Sequence, residues 1–456
     1  MKTLLINPNT PKIYDIGGAR SFPLGLGYVA AVLEAHNEVM VIDVGAEGLS
    51  NDTLSNRITE IMPEIVGITS DSITFQRSIE IAELVKLIDK ETIVVIGGAH
   101  ANVWPTYPLK YECFDISVYG EGEQTVVELW NRIESGNSYE DIKGIAFKGK
   151  NGIVVNPKRE LIENLDELPF PARHLFPMDK YGKDDSNLHV SPVYSIGTSR
   201  GCPFMCAFCS NNVVFGRKFR SRSPKNIVDE LHLLINQYQA KGIYFREDIF
   251  TANKQRIISI CNEIKTRGLH FEWECESRIN TVDEEMLKAM KEAGCKLTWF
   301  GIENGSQRIL DYLHKQITLQ QIRKTYSLCK SVGIKAGASF LIGVPGETIN
   351  DIHHTISFAK ELKAEFAWFN IFTGYPTSPL YEYVRKNNLY EREIGHGVLV
   401  IKTEEFGQEE LKKIQEYAHR TTMNRKRLFN IALSQIKDRA ITPQKVIRGI
   451  KYILRQ

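Results

Sequence analysis

Three cysteines, Cys202, Cys206 and Cys209, lie within eight residues in the stretch SRGCPFMCAFCS (199–210). Thiolates are soft ligands that select zinc, copper(I) or iron–sulfur clusters. A structural zinc site normally closes with four ligands, but the next cysteine, Cys261, follows more than fifty residues later. A cubane cluster usually takes four thiolates, so three would leave one iron open. The spacing therefore favours a catalytic cluster over three core cysteines that are close by chance.

Polar side chains end several of the apolar stretches that follow the cysteines. They are Glu247 and Asp248 in YFREDIFT, Glu276, Ser277 and Arg278 in WECESRIN, and Glu303 in GIENGSQRIL. A carboxylate can hold an ammonium group through charge-assisted hydrogen bonds, and the planar guanidinium of arginine matches a carboxylate. Each residue alone is typical of a surface charge. Their order along the chain and their position at strand ends indicate one common site.

The elements that position these residues belong to two alternations of short apolar runs and helical patterns. Up to residue 140 the runs are TLLINP (3–8), EVMVIDV (38–44), EIVGIT (64–69), TIVVIGG (92–98) and DISVYG (115–120). Short β-branched strands separated by helices predict an α/β domain with a parallel, doubly wound, Rossmann-like sheet. Ligands bind beyond the carboxyl ends of such strands. After three of the predicted strands the sequence contains the segments Ser70-Asp71-Ser72-Ile73-Thr74, Gly97-Gly98-Ala99-His100 and Gly120-Glu121-Gly122-Glu123.

The second alternation runs from residue 191 to about 390. Its strand candidates are VYSIGT (193–198), GIYFRED (242–248), FEWECES (271–277), KLTWFGIE (296–303), IKAGASFLIG (334–343) and FAWFNIFTG (366–374). Six βα units predict a partial (β/α)6 barrel of the TIM type, with its chemistry at the C-terminal mouths of the strands. Residues 141–190 are predicted to form an ordered linker, and residues 391–456 a helical, basic C-terminal region.

Length and composition limit the function classes. A chain of 456 residues is too long for one core, and a net charge of +2 gives no reason to expect a nucleic-acid partner. No apolar run approaches the ~20 residues of a membrane span. The N-terminus, MKTLLINPNT, predicts a strand rather than a signal peptide. Eight cysteines without a leader favour a reducing cytoplasm over a disulfide framework.

The end of the chain is basic. Between residues 411 and 456 there are 12 Lys and Arg residues against two acids, Glu416 and Asp438. A basic helical tail could contact a membrane surface or a polyanion. A charged face in contact with solvent is the favoured interpretation.

The segment CPFMCAFC, with Phe208 before the last cysteine, resembles the cluster loop of the radical S-adenosylmethionine (radical SAM) enzymes. In that family three cysteines bind a [4Fe–4S] cluster, and the open iron binds the amino and carboxylate groups of SAM. One electron cleaves SAM to a 5′-deoxyadenosyl radical, which removes a hydrogen atom from the substrate. The resemblance also implies an external electron donor of the flavodoxin or ferredoxin type.

The resemblance extends through the barrel and implies a contact with SAM for each matching segment. Glu247 and Asp248 match the pair that meets the SAM amino group. Glu276, Ser277 and Arg278 match the segment that holds its carboxylate and ribose, and Glu303 matches a residue near the ribose. Gly343 and Gly346, in GASFLIGVPGET, match the segment that lines the adenine.

The first 140 residues resemble the cobalamin-binding domain that precedes the barrel in one radical SAM subgroup, through FPLGLGYVAAVLE, IGGAHAN and YGEGE. The resemblance implies that the loop Ser70–Thr74 lies below the cobalt. It also implies cofactor contacts for Gly97, Gly98, His100, Gly120 and Gly122. The mutase-type D-x-H-x-x-G motif is not matched, since the only segment with that spacing has Gly45 in place of histidine. A module that has lost its cofactor is the alternative.

This architecture implies a cobalamin-dependent methyltransferase that acts on an unactivated carbon of a small molecule. A radical enzyme that does not methylate, such as an oxidative cyclase, a ring-contracting enzyme or a sugar diol dehydratase, is the first alternative. An iron–sulfur electron-transfer protein and a zinc-stabilised nucleic-acid module are the others, although neither needs SAM-binding segments. Tyr375 and Tyr381, which follow the sixth strand, are candidates for the catalytic chemistry, with packing as their alternative role.

Overall fold

The structure is a computed structural model that describes residues 1–10, 21–183, 186–210 and 212–422. The N-terminal domain is built from short strands and the helices between them. Its elements are β1 (Lys2–Asn7), α1 (Leu24–Leu33), β2 (Glu38–Asp43), α2 (Val44–Glu47), α3 (Asn51–Ile61), β3 (Ile65–Thr69), α4 (Phe75–Ile88), β4 (Ile93–Gly97), α5 (Ala99–Val103), β5 (Ile116–Val118), α6 (Gly122–Glu134), β6 (Ile145–Gly149) and β7 (Gly152–Val155).

The strands of this domain form one sheet in the order β2-β1-β3-β4-β5-β6-β7. The first five strands in this order, β2, β1, β3, β4 and β5, are parallel, which confirms the doubly wound fold. Successive side chains of a strand point to opposite faces of the sheet. Leu4 and Ile6 accordingly pack with α3 and α4 on one face, while Leu5 packs with α1 and α6 on the other. The carboxyl ends of β1, β3, β4 and β5 meet at one edge.

The sheet extends into the segment that the sequence predicts as a linker. Strands β6 and β7 form an antiparallel hairpin, and β6 pairs with β5. Asn151-Gly152 lies at the turn of this hairpin, and Asn-Gly is a strong hairpin signal. The remainder of the predicted linker contains only short 3-10 turns among the residues that the structure describes.

The second domain contains the elements β8 (Val193–Ile196), β9 (Ser199–Arg200), α7 (Asn212–Phe215), β10 (Arg220–Ser221), α8 (Pro224–Asn236), β11 (Gly242–Phe245), α9 (Lys254–Thr266), β12 (Glu272–Ser277), α10 (Glu284–Glu292), β13 (Cys295–Glu303), α11 (Gln307–Tyr312), α12 (Leu319–Val332), β14 (Lys335–Ile342), α13 (Ile349–Leu362) and β15 (Ala367–Ile371). Its parallel, six-stranded sheet has the order β15-β14-β13-β12-β11-β8. The predicted partial barrel is confirmed, and each of its strands begins and ends close to the apolar run that predicts it.

The C-terminal part contains β16 (Thr373–Gly374), α14 (Pro379–Lys386), β17 (Tyr390–Ile394), β18 (Val398–Ile401) and α15 (Gln408–Thr422). The start of the region predicted to be helical therefore forms strands, because Val398–Ile401 is a fully buried run of branched aliphatic residues. Helix α15 covers the edge strand β15. The Gln415 amide donates to the Phe369 carbonyl at 2.6 Å, and the Phe369 N–H donates to His419 Nε2 at 2.9 Å. Most of the basic tail lies outside the described residues.

Within the described part of the chain, no helix has both the length and the apolar character needed to span a membrane.

A buried carboxylate joins the segment before the barrel to the first barrel helix. Glu230 on α8 accepts a hydrogen bond from Arg173 at 2.6 Å and is paired with Arg222 through its second oxygen. All three side chains are buried. Burial opposes ionisation of Glu230, but the two arginines outweigh it and hold its pKa below the ordinary value of 4.5. The segment after the N-terminal domain is thus anchored by charge to the barrel wall.

The substitution Glu230→Gln should lower the free energy of unfolding by about 3–5 kcal/mol, because it leaves two buried guanidinium groups without a charge partner. A carboxylate with a lowered pKa stabilises the fold above its unfolded-state pKa, and this contribution is lost as the pH falls. The difference in the free energy of unfolding between wild type and variant, measured with urea, should therefore shrink below about pH 4.5.

A matched control is Glu292→Gln, because Glu292 is exposed and pairs with an exposed lysine, Lys265, at 2.8 Å. This substitution should lower the free energy of unfolding by less than about 1 kcal/mol. Equal effects of the two substitutions would contradict the assigned role of Glu230.

Candidate functional site

The three cysteines lie in the loop between β9 and α7, beyond the carboxyl end of the first barrel strand, β8. Cys202, Cys206 and Cys209 are partly exposed and line one cavity of about 520 Å³, here named the cluster cavity. The N–H of Ala207 donates to the carbonyl of Leu313 at 2.9 Å, which ties the loop to the end of α11. The loop therefore presents its three thiols to one space.

The backbone before the first cysteine requires a glycine. Gly201 has φ of +84°, and a Cβ atom at this position would lie 2.3 Å from the carbonyl oxygen of Lys218. The close approach arises because β9 pairs with β10 in a short antiparallel ribbon, Arg200 opposite Arg220. This ribbon sets the starting point of the cluster loop.

Most residues that the resemblance groups around SAM line the cluster cavity with the cysteines. These residues are Phe208, Asp248, Glu276, Ser277, Arg278 and Glu303. They come from the cluster loop and from the ends of β11, β12 and β13. The carboxyl ends of neighbouring parallel strands meet at one edge, which is why residues far apart in sequence share this space.

Arg278 is placed to hold an anion beside the cysteines. Its Nη1 donates to Cys206 Sγ at 3.2 Å, and its guanidinium lies 4.0 Å from the ring centroid of Phe204. Its second terminal nitrogen, Nη2, is buried and has no hydrogen-bond partner among the described residues. A buried donor without an acceptor is costly, so this nitrogen fits a carboxylate that enters the cavity.

Glu247 has a different position from its neighbour Asp248. It is buried, it accepts a hydrogen bond from the Thr198 hydroxyl at 2.5 Å, and it lies 3.9 Å from Arg256. Burial raises the pKa of Glu247. Glu247 does not line the cluster cavity but a neighbouring cavity between the N-terminal sheet and the barrel. Its predicted contact with the SAM amino group therefore stays a prediction.

Four further predicted residues line neither of these two cavities: Gly343, Gly346, Tyr375 and Tyr381. The Gly343 N–H donates to the carboxylate of Glu347 at 2.6 Å, so this loop folds onto its own acid. Tyr381 is buried in an apolar cluster, and its hydroxyl accepts a hydrogen bond from Arg385 at 3.2 Å. The adenine contact and the catalytic tyrosines stay predictions.

A second cavity of about 580 Å³, here named the interdomain cavity, lies between the N-terminal sheet and the barrel. Its apolar wall includes Leu5, Val95, Val118 and Trp130, and its rim includes the predicted residues Gly97, Gly98, Gly120 and Gly122. Gly98 has φ of +96°, and an added Cβ would lie 2.6 Å from the carbonyl oxygen of Ser70. The absence of side chains at these four glycines leaves room on the rim for a large planar group.

The loop after β3 and His100 do not line the interdomain cavity. Asp71 closes the loop on itself, since its Oδ1 accepts the N–H groups of Ile73 and Thr74 at 2.9 and 2.7 Å. His100 is buried and stacks on Phe75 with ring centroids 3.9 Å apart. Burial lowers the pKa of His100 to about 3, so the ring is neutral. Cobalamin contacts for Ser70, Asp71, Ser72, Thr74 and His100 stay predictions.

The two cavities share a wall. Asp248 and Glu276 line both of them. Glu276 accepts a hydrogen bond from the Tyr244 hydroxyl at 2.5 Å. Burial, followed by the charge of Glu276, raises the pKa of Tyr244, so the phenol keeps its proton. A molecule beside this wall could contact groups held in either cavity.

A buried ionic contact between the two domains is not evident from the sequence. Arg200 donates to Glu121 at 2.8 Å and to Glu123 at 2.5 Å, and Arg220 donates to both oxygens of Glu121 at 3.0 and 2.8 Å. The acids lie in YGEGE and the arginines in SRGC and GRKFRSR, but pairing across 77 to 99 residues cannot be inferred from these segments. Lys315 and Trp368, which also line the cluster cavity, are likewise not predicted from the sequence.

Comparisons with known proteins agree with this geometry. The family model for the radical SAM superfamily matches residues 196–359, and the model for the B12 binding domain matches residues 18–130. The chain is 41% identical over 392 residues to an uncharacterized methyltransferase of Pyrococcus horikoshii, covering 85% of this chain and 84% of that protein. The chain belongs to the radical SAM superfamily, in the group with a B12-binding domain.

Two further comparisons show how wide this group is. An anaerobic magnesium-protoporphyrin IX monomethyl ester cyclase of Rubrivivax gelatinosus is 29% identical, over 84% of this chain and 70% of that protein. The solved structure of the radical SAM methyltransferase TsrM from Kitasatospora setae matches with a TM-score of 0.70 and 20% identity, covering 85% of this chain and 76% of that one. The likeness to TsrM supports the fold. The superfamily and the B12-binding domain together give this chain a [4Fe–4S] cluster, SAM and cobalamin as cofactors.

The residues present fit these three groups. Within the described ranges, no group of three His, Cys, Asp or Glu side chains is arranged to bind one metal ion. A cubane cluster does not require such a group, because each of its thiolates binds a different iron. The three cysteines could hold the cluster, and Arg278 Nη2 could hold the SAM carboxylate. The glycine rim formed by Gly97, Gly98, Gly120 and Gly122 could receive cobalamin.

The interdomain cavity can be filled by one substitution without disturbing the described core. Gly25 lies on α1 and borders this cavity, and no described atom lies within 4 Å of an added Cβ. Gly25→Phe should raise the dissociation constant for cobalamin at least tenfold, because the ring occupies the cofactor's space. The iron content and melting temperature of this variant should not fall, since no neighbouring side chain has to move to admit a Cβ at this position.

Gly25→Ala is the matched control and should bind cobalamin like the wild type. Unchanged cobalamin binding by Gly25→Phe, measured by equilibrium dialysis, would show that the cofactor lies elsewhere.

Proposed function

We propose that this chain is a cobalamin-dependent C-methyltransferase that cleaves SAM reductively to a 5′-deoxyadenosyl radical and methylates an unactivated carbon of a small molecule. The supporting observation is the wall shared by the two cavities, formed by Asp248 and Glu276. Radical formation and methyl transfer must reach the same substrate carbon. A site bordered by both cavities meets that requirement.

In this proposal the cluster would supply the electron that cleaves one SAM, and cobalamin would carry to the substrate the methyl group of a second SAM, which leaves as S-adenosylhomocysteine. Cys202, Cys206 and Cys209 hold the cluster at the mouth of the barrel. Arg278 binds the SAM carboxylate through Nη2, and its contact with Cys206 Sγ joins the cosubstrate site to the cluster loop. Asp248 borders the place where the SAM amino group would lie next to the open iron.

The side chains around the shared wall would orient the substrate. The Tyr244 hydroxyl keeps its proton and donates a hydrogen bond to Glu276. This bond holds the Glu276 carboxylate in one position. Trp299 and Trp368 form an apolar part of the same cavity. Trp299 is fixed by a hydrogen bond from its Nε1 to Glu274 at 3.3 Å. These groups would keep water away from a carbon-centred radical.

A radical enzyme that does not methylate is the second candidate, and one observation favours it. The cyclase relative of Rubrivivax gelatinosus shares 29% identity over most of this chain, so a common architecture need not mean a common outcome. The methyltransferase relative is more similar, at 41% identity. We therefore place methyl transfer first.

The proposal requires an electron from outside the chain, for which a flavodoxin or a ferredoxin is the expected donor. None of the eight cysteines is in a disulfide, which supports the expectation of a reducing cytoplasm.

The two candidate functions differ in the products they form from SAM, even before the substrate is known. The anaerobically reconstituted full chain should convert SAM to 5′-deoxyadenosine when a reductant is present. It should also form S-adenosylhomocysteine, and only when cobalamin is supplied. Both products can be quantified by mass spectrometry. A non-methylating enzyme would give 5′-deoxyadenosine without S-adenosylhomocysteine.

Cys206→Ala should reduce 5′-deoxyadenosine formation at least a hundredfold, because the cluster loses one of its three ligands. Cys113→Ala is the matched control, since Cys113 is a buried thiol of the N-terminal core, and it should retain the activity. Wild-type protein with a full cluster that leaves SAM intact would refute the proposed function.

A further inference from the structure

A buried lysine borders the cluster cavity and has no role in the description above. Lys315 is 6% exposed, and its Nζ lies 2.7 Å from Oε1 of Glu303. The same Nζ lies 5.5 Å from the ring centroid of Phe208, the residue before the third cysteine of the loop. Both Lys315 and Glu303 line the cluster cavity. A lone lysine in YLHKQIT gives no sequence signal, so only the structure brings it to this place.

The backbone around Lys315 is held in an unusual conformation. The flanking residues His314 and Gln316 both have positive φ, 52° and 53°. Positive φ is uncommon for residues other than glycine and carries a cost. The N–H of Lys315 donates to the Leu310 carbonyl at 3.0 Å, which closes the turn after α11. This turn also accepts the hydrogen bond from Ala207, so it is fixed to the cluster loop.

The partner carboxylate lies on an irregular stretch of strand. Glu303 has φ of +72°, and the pairing of β13 with β14 shifts register between Gly301 and Glu303. A Cβ atom on Gly301 would lie 2.5 Å from Glu303 Oε1 and 3.0 Å from Lys315 Nζ. The ion pair therefore lies directly over the backbone of Gly301.

Energetics argue against a purely structural role for this pair. Burying two charges costs desolvation energy that their attraction repays only in part, and apolar replacements of similar volume are often as stable. Lys315 has three N–H donors, and among the described residues Glu303 is its one hydrogen-bond acceptor. A pair that adds little stability, yet is held by three residues in left-handed conformations beside the cysteines, suggests a function in the cavity.

We propose that Lys315 is a positioning residue for SAM: it holds the carboxylate of Glu303 in the orientation that receives the ribose hydroxyls. This inference rests on the proposed function, because it assumes that SAM binds at the cluster. An unpaired Glu303 side chain would be free to rotate away, and this movement would weaken the acceptor. Lys315 and Glu303 thus act as one unit, and losing either should have the effect of losing both.

The test compares SAM binding among reconstituted full-length variants. Lys315→Met should raise the SAM dissociation constant at least tenfold, and Lys315→Arg should restore binding to within about threefold of wild type. Glu303→Gln should match Lys315→Met. In the double variant Lys315→Met/Glu303→Gln the loss should equal that of one single variant rather than the product of both.

Two controls make the test decisive. Lys315→Met could misfold because it leaves Glu303 buried and unpaired, but the double variant removes both charges and should keep a wild-type melting temperature and iron content. Lys265→Met, which breaks an exposed pair with Glu292, should bind SAM like the wild type.

A folded double variant with a full cluster that binds SAM within twofold of wild type would overturn the role of Lys315. Failure of the wild type to bind SAM would instead overturn the proposed function, so the two failures are distinguishable.

Discussion

The buried contact of Arg200 and Arg220 with Glu121 is the constraint on which the rest of the site depends. Both arginines come from the ribbon that begins the cluster loop, and Glu121 comes from the loop after β5 of the N-terminal sheet. Burial opposes ionisation of Glu121, yet the arginines keep its pKa below the ordinary value. A different docked arrangement that buried these charges without their partners would be strongly unfavourable. The contact therefore fixes one arrangement of the two domains.

That arrangement explains why the two cavities meet. Arg200 and Glu121 themselves line the interdomain cavity, and Arg200 lies two residues before the first cysteine of the loop. The same segment thus borders the expected cobalamin site and begins the expected cluster site. Asp248 and Glu276 then form the common wall. The ionic contact between the domains, together with their apolar core, sets the distance between the two cavities.

The sequence predicts the parts of this structure that depend on local pattern. The period of apolar residues defines the strands. Gly97, Gly120, Glu276 and Glu303 line the two cavities, as expected for residues at the carboxyl ends of parallel strands. The loop after β3 also follows a strand, but Asp71 folds that loop back through its own hydrogen bonds. Position after a strand identifies a candidate; only side-chain direction decides whether it reaches the cavity.

Long-range pairings are the features that the sequence does not reveal. Glu230 could pair with any nearby arginine, and nothing in its sequence neighbourhood singles out Arg173, 57 residues away. Gly343 resembles a ligand-lining residue, yet its N–H is taken by Glu347, a carboxylate whose pKa burial raises to about 7. The hairpin β6–β7 has a clear turn signal, but it joins the sheet only because β5 offers a free edge.

We infer that Cys202, Cys206 and Cys209 hold a cluster that keeps one iron open for the amino group of SAM. The hyperfine coupling between the reduced cluster and SAM labelled with nitrogen-15 at its amino group, recorded on anaerobically reconstituted protein, tests this inference. We expect a nitrogen-15 coupling that unlabelled SAM, which carries nitrogen-14, does not produce. Zinc in the loop, or a reduced cluster whose spectrum does not respond to SAM, would contradict it.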